Sequence, residues 1–102
     1  MDDPNEYTFE RNTAFDDGLA ALQPAHVNNV MAFLRDHARF TPTNLIPGQL
    51  KALKGTWRGY YEFRVSRQLR LRYWVDEDAR VVKLTYLGKH SDWRHSRDAQ
   101  GR

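Results

Sequence analysis

Two hydrophobic rhythms divide this chain. Before TPT at residues 41–43, apolar side chains mostly recur every three or four positions, as on one face of a helix. From Trp57 onward they alternate with polar ones, as along a strand. At the start, residues 7–11 (YTFER) alternate and predict a short strand. Thr13 followed by Asp16 fits a helix N-cap with an acid at the third helical position, and Phe15, Leu19 and Leu22 keep helical spacing. Pro24 suits the first turn of a second helix. There Val27, Val30, Met31, Leu34 and Ala38 form a stripe predicted to face a core. Pro42 biases Thr41 away from helical angles and ends that helix. Residues 44–54 (NLIPGQLKALK) read as a connector holding one helical turn.

In YYEFRVS, Tyr61, Phe63 and Val65 are apolar while Glu62, Arg64 and Ser66 are polar. In LRLRYWV, Leu69, Leu71, Tyr73 and Val75 share one face, and Arg70, Arg72 and Trp74 share the other. Ser66-Arg67-Gln68 turns the chain between these two strands, and residues 76–79 (DEDA) make the next hairpin turn. A last strand over residues 80–87 directs Val82, Leu84 and Tyr86 inward, with Lys83 and Thr85 outward. The predicted order is β-α-α-β-β-β. This is an α+β fold in which an antiparallel sheet has two N-terminal helices packed on one face.

The length of 102 residues suits one domain, expected to span residues 1–102 with flexible ends at 1–6 and 95–102. Without cysteine, neither a disulfide framework nor a zinc–thiolate site can form. No apolar run approaches the ~18 residues of a membrane span, and the acidic start MDDPNEYTFE is unlike a signal peptide, so a soluble cytoplasmic protein is expected.

Charge sharpens this picture. Residues 1–50 carry three arginines against seven acids, whereas residues 51–102 carry thirteen Lys or Arg against six. Arginine outnumbers lysine twelve to four, and its planar fork suits bidentate phosphate binding. A basic half rich in Arg and aromatics points to a polyanion, most simply nucleic acid. An acidic partner protein is the other reading of that charge.

If helices cover one face of the sheet, the other displays Glu62, Arg64, Arg70 and Arg72 together. Strands about 4.8 Å apart let these side chains surround one phosphate. After them comes YLGKHSDW, which by itself reads either as a polar C-terminal exit with its tryptophan folded onto the core or as one wall of a site. In the second reading Gly88 would let the chain turn, Lys89 meet a backbone phosphate, His90 point back over the basic face and Trp93 offer a stacking plane. Lys51, Lys54 and Arg58 approach the same sheet as backbone contacts. His26 and His37 are expected at the helix surface or lining a groove. His90, Asp92 and His95 match no familiar metal spacing, so neither metal nor cofactor is expected.

The element order, the L-x-G-x-W-x-G-Y approach from Leu53 to Tyr60, the Arg70 to Tyr73 strand centre and the Gly88 to His90 ending resemble the RelE/ParE superfamily of small bacterial toxins. The YafQ-like and RelE-like messenger-RNA interferases look nearest within it. The likeness is strong over residues 53–93. It implies the toxin of a type II toxin–antitoxin system, a metal-independent endoribonuclease that cuts mRNA on the ribosome by 2′-hydroxyl attack, so inhibiting translation. It also implies a cognate antitoxin that forms a hetero-oligomer with the toxin. Carried over residue by residue, Arg70 matches the arginine at the scissile phosphate and His90 the general-acid position. Glu62 and Arg64 match two second-strand site positions, Gln68 falls where YafQ-like members keep an aspartate, and Trp93 lies near the base-stacking aromatic. Arg64 and Gln68 depart from the YafQ-like pattern, which leaves the general base open. Glu62, the one carboxylate predicted on that face, is the candidate, with Arg67, Gln68 and Arg72 as further substrate contacts. Two other readings stand beside this: a ParE-like gyrase inhibitor without catalysis, and a toxin fold kept as a nucleic-acid- or protein-binding module.

Overall fold

The computed structural model describes residues 5–90. Strand β1 (Thr8–Arg11) leads into α1 (Thr13–Ala21) and α2 (Pro24–Phe33), and α2 continues into a wider π-helical turn at Leu34–Ala38. Then follow β2 (Leu50–Ala52), β3 (Tyr60–Arg64), β4 (Leu69–Asp76) and β5 (Val81–Lys89). The described strands form one sheet in the order β1-β5-β4-β3-β2. The α+β arrangement is the one the hydrophobic pattern predicts, but the sheet is mixed, because β1 runs parallel to β5. The connector also contributes a strand, since β2 pairs antiparallel with β3 at the sheet edge.

Local chemistry accounts for the helices with small corrections. The cap of α1 is Asn12, whose Oδ1 accepts the Phe15 N–H at 2.9 Å, and Thr13 is the first helical residue. Gly18 lets α1 lie directly on β5, because a Cβ at Gly18 would sit 1.8 Å from the Leu87 carbonyl oxygen. In α2 and the turn after it, the buried residues are Val30, Phe33, Leu34 and Ala38, while Met31, predicted to be inside, is 47% exposed. The π turn is closed by the Arg39 N–H on the Leu34 carbonyl at 2.9 Å, and Ala38 within it is fully buried.

The core lies between the helices and one sheet face. Phe33 stacks on Phe63 with centroids 3.9 Å apart, and Tyr61 stacks on Tyr73 at 5.6 Å. Leu50, Leu71, Val82, Leu84 and Leu87 fill the remainder. The buried Tyr73 hydroxyl donates to the Pro42 carbonyl at 2.6 Å, pinning the segment after the helices to the sheet. Among the described residues no helix is long and apolar enough to cross a membrane.

One irregularity reassigns the faces of β5. Arg72 pairs with Tyr86 but Tyr73 pairs with Leu84, so Thr85 is an extra residue, a β-bulge. Its hydroxyl donates to the Arg72 carbonyl at 3.2 Å. Beyond the bulge the alternation is inverted. Leu87 packs into the core, Tyr86 moves to the opposite face against Arg72, and Thr85, predicted outside, is buried. Gly88 lies within β5 and makes no turn.

Candidate functional site

Strand pairing gathers the cations. Lys51 of β2 lies opposite Glu62, Glu62 opposite Arg72, and Arg64 opposite Arg70. Lys51, Glu62, Arg64 and Arg70, with Gly48 and Gln49, line a cavity of about 240 Å³ on the sheet face away from the helices. Lys51 and Arg64 are exposed there.

The face is less open than its alternation predicts. Glu62 is only 3% exposed and Arg72 only 1%. Arg72 donates from Nε to Glu62 Oε2 at 2.7 Å, and its Nη2 donates to the same oxygen. Burial pulls the Arg72 guanidinium below its ordinary pKa, and the hydrogen bond and charge of Glu62 oppose that pull. Arg72, expected among the substrate contacts, is therefore an interior residue. The aromatic Tyr86 ring lies over it at 5.9 Å, where a cation gains from the ring's electron-rich face.

Arg70 is held differently. Its Nη1 donates to the carbonyls of Ser66, Arg67 and Leu69 at 2.8, 3.1 and 3.1 Å, while Nε lies 3.5 Å from Glu62 Oε1. The β3–β4 turn thus fixes the guanidinium in place. Lys51 Nζ reaches the same Glu62 oxygen at 3.6 Å.

His90 completes the cluster from the end of β5. Its backbone N–H donates to the Gln68 carbonyl at 2.9 Å. Its ring Nδ1 lies 3.2 Å from Arg72 Nη2 and 3.9 Å from Glu62 Oε2. A guanidinium only donates, so Nδ1 is the acceptor and a neutral imidazole carries its proton on Nε2. The side chain is 59% exposed. Tyr86 steadies the approach to it by donating to the Lys89 carbonyl at 2.7 Å. Gly88 makes room for this, since a Cβ there would stand 2.8 Å from the Tyr86 hydroxyl oxygen.

The other candidates lie apart. Arg67, Gln68 and Lys89 line a separate groove with His26, on the helix side of the β3–β4 turn. Exposed Lys54 precedes a single 3₁₀ turn at Gly55–Trp57 and lines none of these cavities. Trp93, Asp92 and His95 lie outside the described residues. Sequence reasoning missed Gly48 and Gln49, because it assigned their segment to a connector. The Pro47-Gly48 pair was the available signal for a turn leading into an edge strand.

No family model matches the chain, and no curated protein sequence does. Solved structures do match. The YoeB/ParE toxin from Agrobacterium tumefaciens superposes with a TM-score of 0.70 at 21% identity, over 81% of this chain and 98% of that one. A chain of the RelBE2 toxin–antitoxin complex from Mycobacterium tuberculosis gives 0.68 at 21% identity, over 83% and 99%. The chain has the RelE-like toxin fold. YafQ from Escherichia coli shares it at 16% identity and a TM-score of 0.62, over 86% and 98%. In this chain the RelE-like fold carries Arg70 and His90 on opposite flanks of one buried carboxylate.

Proposed function

We propose that the protein is the toxin of a type II toxin–antitoxin pair and an endoribonuclease that cleaves mRNA, acting on translating ribosomes in the cytoplasm and so stopping translation. The observation that carries this reading is the convergence of Lys51, Arg64 and Arg70 on one cavity, with His90 and Arg70 both within 4.0 Å of Glu62. The likeness to RelE, YoeB and YafQ structures supports it.

In the proposed reaction the scissile phosphate enters among Lys51, Arg64 and Arg70. The ribose 2′-oxygen attacks phosphorus as its proton passes to Glu62 Oε1, the oxygen turned toward Lys51 and Arg70. The bond to the 5′-oxygen breaks, and His90, protonated on both ring nitrogens for this step with Nδ1–H directed at Glu62 Oε2 3.9 Å away, supplies that oxygen with a proton from Nε2 and is left as the neutral imidazole. A 2′,3′-cyclic phosphate and a free 5′-hydroxyl result. A carboxylate is a weak base, so most of the acceleration falls to the preorganised cations, which need no reorganisation as charge builds on the phosphorane, and to protonation of the leaving group. The buried Glu62–Arg72 pair keeps Oε1 and the imidazole in register. No metal enters this scheme.

An acidic antitoxin would silence the protein by covering the Lys51, Arg64 and Arg70 face, forming the toxin–antitoxin hetero-oligomer. Induced expression of the wild type, Arg70→Ala and His90→Ala, with growth and message integrity followed, tests the proposal. Wild type should arrest growth and fragment messages, and both variants should not. Arrest by both folded variants, or arrest with intact messages and inhibited gyrase, would overturn it.

A further inference from the structure

A second and larger groove, about 680 Å³, lies on the helix side of the sheet edge between α2 and β3. Gly48, Gln49 and Arg64 line both this groove and the cationic cavity on the opposite face. The Arg64 N–H donates to the Gln49 carbonyl at 2.8 Å, so these residues form a fixed rim between the two spaces. Inside the groove the character changes. Phe33, Phe63 and Ile46 contribute apolar surface, and the partly exposed His37 ring stacks on Phe33 at 5.5 Å. The His37 Nε2 donates to the Asn44 carbonyl at 2.8 Å, which holds the ring in place. The exposed amides of Asn29 and Gln49 stand at the mouth, and Asn29 Nδ2 spends one of its two N–H donors on the Val65 carbonyl at 3.4 Å.

We infer that this groove receives a nucleobase of the RNA strand, the one next to the phosphate held by Lys51, Arg64 and Arg70, and that it contributes sequence preference. The inference rests on the RNA-binding part of the reading above. Three observations favour RNA over other occupants. The groove shares its Gly48, Gln49 and Arg64 rim with the cationic cavity. Its rim carries Arg64 and Arg67, which suit a polyanion's backbone. Its interior offers the partly exposed His37 ring and Ile46 side chain, laid over the buried Phe33 and Phe63, with neutral amides at the mouth, the combination that binds an unstacked base by its face and its edge. Asp36 also lines the groove. Its carboxylate is held below the usual carboxylate range by the Arg35 guanidinium, which hydrogen-bonds it at 2.8 and 3.0 Å. It repels phosphate and can accept from a base amine, so the interior takes a base and the rim takes the backbone.

The test uses binding, which does not depend on cleavage. The probes are two short 2′-O-methyl RNA oligomers, uncleavable by 2′-attack, identical except that one lacks the base beside the central phosphate. A 2-aminopurine at that position reports stacking. The full chain should bind the base-bearing oligomer about tenfold more tightly than the abasic one, with quenching of 2-aminopurine. Ala32→Trp, which fills the groove from α2, should abolish that preference and the quenching while keeping affinity for the abasic oligomer. Gln49→Ala and Asn29→Ala, both exposed, should alter the ranking of bases at that position without loss of folding. Equal binding of the two oligomers by the wild type would overturn the inference, as would an unchanged preference in Ala32→Trp together with both alanine variants. So would a groove-filled protein that binds RNA normally yet no longer forms a complex with its antitoxin, since the groove would then be a protein-docking surface. If the wild type bound RNA with this preference but cut none, the catalytic proposal would fail and the groove inference would stand.

Discussion

Arg72 and Glu62 form a buried pair in which two guanidinium nitrogens converge on one carboxylate oxygen, Oε2. The other oxygen is left to Lys51 and Arg70, and the imidazole of His90 rests on the same guanidinium. One interior contact therefore positions both sides of the proposed site. Removing Arg72 strands a buried carboxylate. Arg72→Ala should lose about 3–5 kcal/mol in urea unfolding, far more than Arg64→Ala, which truncates an exposed side chain. Equal costs for the two would contradict the burial described above.

Arg70 is distinguished by geometry as much as by charge, because its Nη1 caps three carbonyls of the β3–β4 turn. Arg70→Lys keeps the charge but cannot reproduce a planar fork anchored to that turn. Message cleavage should fall at least about a hundredfold, a loss typical of removing one preorganised donor. Near-normal cleavage by the lysine variant would show that charge alone suffices.

Arg64 is exposed at the rim of both cavities. Binding of uncleavable single-stranded RNA should weaken with salt, and Arg64→Ala should flatten the logarithmic slope by about 0.7, the share of one phosphate contact. Titrations at several salt concentrations measure it. An unchanged slope would remove Arg64 from the backbone contacts.

Gly18 is a helix residue that cannot be improved. Alanine ordinarily favours a helix over glycine by about 1 kcal/mol, yet a Cβ at Gly18 would meet the Leu87 carbonyl at 1.8 Å. Gly18→Ala should lower the thermal midpoint, because α1 must lift from β5 to admit the methyl group. A raised midpoint would mean that α1 does not pack as described.

Tyr73 sets an alkaline limit. Burial first, and the neighbouring Tyr61 second, push its phenol well above the ordinary value of 10.0. The folded state thus favours the neutral phenol. Stability from this residue is full below about pH 10 and declines at higher pH, by on the order of 1.4 kcal/mol per pH unit, as the unfolded chain ionises first. Tyr73→Phe should remove that component of the decline. At neutral pH it should also cost about 1–3 kcal/mol, since the buried Pro42 carbonyl loses its donor. Urea unfolding across alkaline pH checks both effects.

The local pattern determined much of this protein. Helical spacing at Phe15, Leu19 and Leu22, the Pro24 start and the strict alternation around Phe63 and Leu71 each report a property of the chain within a few residues. The clustering of Glu62, Arg64 and Arg70 followed from that alternation once two strands were paired. Tertiary structure decided what lies beyond a few residues' reach. The edge strand β2 is only three residues long, with no alternation to announce it, and exists because β3 offers a partner. The parallel pairing of β1 joins distant segments, so no local signal carries it. The bulge at Thr85 depends on how β5 meets β4. It moves Tyr86 from the core to the basic face and sets Gly88 opposite Arg70. Burial of Glu62 and Arg72 is likewise a property of the assembled layers. Two charged residues at alternating positions read as solvent-facing until a neighbouring strand, an aromatic ring and an imidazole close over them.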